Sequence, residues 1–361
     1  MSAYYIGLMS GNSLDAMDAV LMRFTDTAYE LIAQYREPIP AQFRAHVQSF
    51  SIVDGMERFL RLDAELAELA IRAVRGVLAN ASLSASVVTA IGLHGQTLCH
   101  LPDGHPWTLQ VGNPHSLAAA TGIDVIADFR RRDIIEGGQG APLAPLLHQF
   151  AFACEQAPRY VVNIGGIANV SVLKAGGDFV AGFDTGPGNM LLDSYMQQYQ
   201  QQPYDHDGAF ARRGLLQSEA LDAMLADTYF QLPPPKSTGR ERFNLAWAMP
   251  FFSPSTKSID IMQTLTHLTA RSIADAISGF PLVGAVFLCG GGAYNAHLRS
   301  LISTYLDREV ETTATLGMEP DVVEAVTFAY LAFLHHQGKR ISMGSITGAQ
   351  RSYRPGVYCP A

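Results

Sequence analysis

The chain has 361 residues, 48% of them hydrophobic and 16% charged. At about 100–200 residues per domain this length favours two domains, and apolar residues in such excess exclude a disordered or coiled-coil chain. Lys+Arg is 25 against Asp+Glu 33, a net charge of -8, which argues against a broad basic face for nucleic acid, and every apolar run is interrupted before the roughly 18 residues of a membrane span.

In chain order, residues 4–9 read as a strand, Ser10-Gly11-Asn12-Ser13 as a turn and residues 17–24 as a second strand, a hairpin at the very start. The opening residues carry no basic leader with a cleavage site, so the expectation is a cytoplasmic protein. Residues 57–80 space their apolar side chains as an amphipathic helix. Residues 88–93 read as a strand running into His94-Gly95-Gln96-Thr97, and 123–127 as another ending at Asp128-Phe129-Arg130. Loops at the C-terminal ends of strands are where open α/β sheets place ligands. From Tyr160 the opening pattern returns: strand 160–164, turn Gly165-Gly166, strand 168–173. A hairpin repeated at half-chain offset points to a duplicated α/β domain, with a boundary near 130–155. The polar, proline-rich loop 233–240 follows, then strand 284–289 ending in Gly290-Gly291-Gly292.

Four glycine-rich turns therefore follow strands: Gly11-Asn12-Ser13, Gly165-Gly166, Gly186-Pro187-Gly188 and Gly290-Gly291-Gly292. Glycine lets backbone N–H groups approach phosphate oxygens, although any one such turn is ordinary chain reversal. No G-x-x-x-x-G-K-[ST] and no opening G-x-G-x-x-G is present, which counts against a P-loop enzyme and a dinucleotide dehydrogenase. Arg130-Arg131-Arg132 suits a local phosphate or carboxylate, or is a solvated turn. Asp184 follows the short strand 179–183, where it either caps its own turn or serves as a general base. Asp321-Val322-Val323-Glu324 has the spacing of a capping box. The histidines near Cys99 lack helical metal spacing, and Cys99, Cys154, Cys289 and Cys359 form no C-x-x-C, so reduced thiols are expected.

Taken together, Gly7-Leu8-Met9-Ser10-Gly11-Asn12-Ser13-Leu14-Asp15, His94-Gly95-Gln96-Thr97, Ala127-Asp128-Phe129-Arg130, Gly137-Gly138-Gln139-Gly140, Asn163-Ile164-Gly165-Gly166-Ile167-Ala168-Asn169, Phe183-Asp184-Thr185-Gly186-Pro187-Gly188-Asn189 and Cys289-Gly290-Gly291-Gly292 resemble the anhydro-N-acetylmuramic acid kinase family. The resemblance implies a two-domain α/β, actin-like (ribonuclease H-like) sugar-kinase and Hsp70 ATPase fold with an interdomain cleft. The expected domains are residues 1–140 and 141–361, with the C-terminal segment free to return to the first. The implied reaction takes 1,6-anhydro-N-acetylmuramic acid, ATP with magnesium, and water to N-acetylmuramic acid 6-phosphate and ADP, in peptidoglycan recycling by a cytoplasmic homodimer.

By position, the resemblance implies that Gly11, Asn12, Ser13, Leu14, Asp15, Ala16, Met17 and Asp18 form a first phosphate loop. Gly165 and Gly166 would form a second phosphate hairpin, with Gly186 and Gly188 beside it, and Gly290, Gly291 and Gly292 would hold adenosine. Asp184 would be the base, and Gln96, Thr97, Arg130 and Glu324 would contact sugar. Asn12 and Ala16 stand where the family usually has Thr and Gly, and Ala16 would restrict positive φ and tighten the loop. An ordinary kinase acting on a free hydroxyl and a non-catalytic actin-like ATPase module remain as alternatives.

Overall fold

The computed structural model describes residues 3–11, 14–50, 53, 55–102 and 106–361. The chain divides into two compact units, Met1–Ala151 with Val322–Ala361, and Phe152–Asp321. Unit 1 contains β1 (Ala3–Ser10), β2 (Ala16–Phe24), β3 (Tyr29–Pro38), β4 (Val88–Leu93), β5 (Gln96–Leu101), β6 (Trp107–Val111) and β7 (Val125–Ala127). Unit 2 contains β8 (Arg159–Ile164), β9 (Ile167–Leu173), β10 (Phe179–Pro187), β11 (Ala285–Cys289) and β12 (Val310–Thr312), and the chain then returns to unit 1 for β13 (Val357–Cys359).

The sheet of unit 1 runs β13-β7-β4-β1-β2-β3 and that of unit 2 runs β10-β9-β8-β11-β12. In each unit the first strand pairs antiparallel with the second and the second with the third. In each, the first strand also pairs parallel with the fourth, and a further parallel strand follows. The half-chain repeat of the sequence is thus a repeat of sheet topology. Central β1 buries Tyr5, Ile6 and Leu8 completely, as a strand covered on both faces must. Helix Met56–Ala81 turns Leu62, Leu66, Leu69, Ala73 and Val77 inward at three-to-four spacing.

Helix Val323–His336 lies against β1, β2 and β4. Gly7 and Gly92 stand side by side on the parallel strands. A Cβ on Gly7 would fall 1.9 Å from the Ala325 carbonyl oxygen, and one on Gly92 would fall 2.0 Å from that of Phe328. Bare backbone at both positions lets the helix seat directly on the sheet.

The chain stays in unit 1 past residue 140, through Ala151. The glycine-rich stretch there is anchored, not a linker. Gly140 donates its N–H to Asp133 Oδ2 at 2.7 Å, and Gln139 donates to the Thr347 carbonyl at 2.8 Å. The fully buried Asp133 also accepts from the Thr347 hydroxyl at 2.8 Å and the Tyr353 phenol at 2.7 Å. Burial raises its pKa, and these three donors oppose the rise.

Candidate active site

In unit 2, side chains alternate across the sheet, so Val162, Ile164, Val170 and Phe183 point into a core shared with Ile273 and Leu298. The opposite face carries a polar row: Asn163 pairs with Asn169, and Asn169 pairs with Asp184. Sequence placed Asp184 beyond its strand. Instead β10 continues to Pro187, and a bulge between Asp184 and Gly186 absorbs the turn-like residues.

Asp184 is buried, and segment 229–238 braces it at three points. Its N–H donates to the Lys236 carbonyl at 3.1 Å, its carbonyl accepts from the Tyr229 hydroxyl at 2.7 Å, and its Oδ2 accepts from the Thr238 N–H at 3.0 Å. Lys236 is buried over the Tyr229 and Phe183 rings, with Nζ donating to the Tyr229 carbonyl at 3.0 Å. Burial lowers its pKa from 10.5 to about 8, while Asp184 pulls the other way. Burial, and next the Asp184 charge, raise the Tyr229 phenol.

The glycine turns of unit 2 converge on the end of β8. Gly188 and Asn189 donate to the Gly166 and Gly165 carbonyls at 2.9 and 2.8 Å. A Cβ on Gly188 would lie 2.4 Å from the Gly165 oxygen. Gly290 has φ +75°, and a Cβ there would meet Asn163 Oδ1 at 2.5 Å; one on Gly292 would meet Ile164 at 2.3 Å. Gly291 keeps an open side, with Asn189 Nδ2 at 3.9 Å from the place of its Cβ.

In unit 1, Arg130 is held by an uncharged acceptor. Its Nε and Nη2 lie 3.1 and 2.9 Å from His94 Nε2, and its Nη1 donates to the Gly140 carbonyl at 2.8 Å. Burial, then the Arg130 charge, hold His94 well below the usual histidine range, which keeps Nε2 an acceptor. The imidazole packs on Phe328 at 4.6 Å between centroids. Glu324 lies one turn earlier on the same helix face. The expected capping box is not formed: the N-cap residue is Val322, without a side-chain cap bond. Gln96 is buried, its Oε1 accepting from the Ser10 hydroxyl at 2.9 Å. Beside it, Thr97 Oγ1 accepts from Gln110 Nε2 at 3.3 Å.

A sequence profile of the anhydro-N-acetylmuramic acid kinase family matches residues 3–361. The chain belongs to the anhydro-N-acetylmuramic acid kinase family. It is 45% identical over 355 residues to the anhydro-N-acetylmuramic acid kinase of Shewanella sp. (strain ANA-3), covering 97% of this chain and 96% of that one. It is 44% identical over 364 residues to the namesake of Shewanella pealeana, at 99% of each chain. Membership makes it a kinase. A solved structure of the activator of the 2-hydroxyisocaproyl-CoA dehydratase from Clostridium difficile with bound ADPNP aligns at TM-score 0.50 and 13% identity, over 94% of this chain and 99% of that one. The two share the actin-like α/β fold.

The family's first-loop segment divides in the structure. Asn12 and Ser13 lie outside the described residues. Leu14 takes the positive φ, +55°, so Ala16, the first residue of β2, meets no such demand. Leu14 donates to the Gly11 carbonyl at 3.1 Å, and Arg44 reaches Asp15 Oδ1 at 3.3 Å. Met17 is buried in the core, and Asp18 Oδ1 is 2.8 Å from Arg36 Nε. All four cysteines are free thiols. Among the described residues no helix is long and apolar enough to cross a membrane.

Tyr229 carries no signal in the sequence, and neither the acid at Asp133 nor Thr238 in loop 233–240 is marked there for the contacts it makes. Only the enrichment of loop 233–240 in proline and polar residues marked the Asp184 brace in advance.

Proposed function

We propose that the chain converts 1,6-anhydro-N-acetylmuramic acid, MgATP and water to N-acetylmuramic acid 6-phosphate and ADP, as a cytoplasmic homodimer recycling peptidoglycan. The observation that supports this best is Asp184, a buried carboxylate oriented by Thr238 in the unit that carries three of the four glycine turns. Asp184 takes a proton from water as the water oxygen bonds to the anomeric carbon. The bond from that carbon to O6 breaks, O6 bonds to the γ-phosphorus, and the phosphorus bond to ADP breaks. Glycosidic cleavage ordinarily needs a second, protonated carboxyl for the leaving oxygen. Here phosphorus is the electrophile that oxygen meets, so one base suffices.

Backbone N–H groups of residues 11–15 and of Gly165 and Gly166 take the phosphates, and Gly290, Gly291 and Gly292 take adenosine. Arg130 takes the lactyl carboxylate, with Gln96, Thr97 and Glu324 on the sugar. Magnesium enters with the triphosphate as substrate. Among the described residues no cluster of three His, Cys, Asp or Glu forms a cage, which fits an ion held mainly by phosphate oxygens and water.

Turnover in oxygen-labelled water, read by mass spectrometry, tests the reading. Solvent oxygen at the anomeric position of the product is expected. Product without label would replace the reading with an ordinary kinase acting on a free hydroxyl. ATP consumption that neither the anhydro-sugar nor the open sugar stimulates would favour an ATPase module.

A further inference from the structure

We propose that Asn169 and Thr238 hold the attacking water against Asp184, as positioning residues for its proton transfer; this rests on the reading of Asp184 as the base. Asn169 stands directly opposite Asp184 in the register of β9 and β10, so the two side chains are cross-strand neighbours on one face of the sheet. Asn169 is 8% exposed and Asp184 5%. The Asn169 Oδ1 is buried and accepts no hydrogen bond from the described residues. Thr238 fixes Asp184 Oδ2 through its N–H at 3.0 Å, and its own hydroxyl oxygen is buried and equally without a partner. Buried polar atoms are nearly always satisfied. Two such orphans next to one carboxylate mark a place built for a polar occupant.

The donor and acceptor pattern selects the occupant. Asn169 Oδ1 and the Asp184 carboxylate are both acceptors, while the Thr238 hydroxyl adapts to either role. An occupant bridging the two acceptors must give two hydrogens from one atom. A sugar hydroxyl or a secondary amide has one to give, and water has two. With both hydrogens committed, the water's lone pairs face away from the two acceptors and are available to carbon. In the step itself the hydrogen facing Asp184 passes to the carboxylate, and the one held by Asn169 stays on the new anomeric hydroxyl. The bond to O6 breaks, O6 bonds to the γ-phosphorus of ATP, and ADP leaves.

Steady-state kinetics with both substrates varied test this on Asn169→Ala, Thr238→Val, Thr238→Ser and Asn169→Asp. A mispositioned nucleophile lowers kcat by about 10- to 100-fold, so that loss is expected for Asn169→Ala and Thr238→Val, with both KM values near wild type. Thr238→Ser should restore kcat. In Asn169→Asp a second carboxylate faces Asp184, and the acid limb of the kcat profile should move up by about one pH unit or more; a side chain that does not face the carboxylate would leave that limb in place. Wild-type kcat in both Asn169→Ala and Thr238→Val, or an unmoved limb in Asn169→Asp, overturns the water site. Should Asn169→Ala fail to fold, the two Thr238 variants decide alone. Asp184→Asn separates the two levels. If it is active, the base reading falls. If it is inactive while Asn169→Ala and Thr238→Val are unimpaired, only the water site falls.

Discussion

Next to the hairpin end, unit 1 sets Asp18 of β2 opposite Arg36 of β3, and unit 2 sets Asn169 of β9 opposite Asp184 of β10. The two pairs occupy equivalent places: Asp18 faces Met9, the last residue but one of β1, and Asn169 faces Asn163, the last but one of β8. In unit 1 the acid is neutralised by an arginine whose side chain is 60% exposed, at 2.8 Å. In unit 2 the acid faces a neutral amide, and both are buried. One strand topology thus carries an exposed ion pair in one copy and a buried carboxylate beside an amide in the other. Unit 1 also carries Arg130, held by a histidine that burial keeps neutral.

The comparison breaks first at Asp184. Asp184→Asn should lower kcat by about 10²–10⁴-fold, the usual worth of a general base, with sugar affinity by calorimetry largely retained. Full turnover in this variant would make the two acids alike. Next comes His94→Phe, which removes the acceptor of two Arg130 donors. A hydrogen bond to a charged group is worth about 1.5–3 kcal/mol, so KM for the sugar should rise about tenfold or more, with KM for ATP unchanged. An unaltered sugar KM would show that Arg130 needs no such holder.

A smaller effect is expected from acid. Burial lowers the pKa of His148 from 6.5 to about 3. With the folded value below the unfolded one, the neutral form is favoured, so this contribution to stability is complete above pH 6.5 and is lost as pH falls toward 3. The loss proceeds at up to about 1.4 kcal/mol per pH unit. Denaturant melts across this window should show a shallower slope in His148→Gln than in wild type. The smallest effect belongs to the exposed pair: Arg36→Gln should cost about 0.2–1 kcal/mol in the same melts, as exposed ion pairs do. A loss several times larger would mean that the unit 1 pair is structural.

Much of the scaffold was legible because its signals are local. Apolar runs of strand length punctuated by glycine located β1, β2, β4, β8, β9 and β11 to within a residue or two, and helical spacing located Met56–Ala81. The misplacements share a cause. Asp-Thr-Gly-Pro-Gly at 184–188 resembles a turn, yet β9 supplies a partner that keeps it in the strand through Pro187. The spacing at 321–324 resembles a capping box, yet the helix begins one residue too late for Asp321 to cap it. Nothing in the proline-rich loop marks Lys236 as buried, and the Tyr229 and Phe183 rings beneath it account for that burial.

By itself the sequence determined the strands, the duplicated hairpins, the glycine positions and the family, because each is written in side chains a few residues apart or in motifs of fixed order. It also narrowed the chemistry to a handful of residues, Asp184 and Arg130 among them. Tertiary structure alone decided what those residues can do. The group that aims the Asp184 carboxylate comes from Thr238, 54 residues later, and the acceptor that holds Arg130 comes from His94, 36 residues earlier. Proton affinity and orientation depend on desolvation and on neighbours within hydrogen-bond reach, and the fold, not the order of residues, brings those neighbours together.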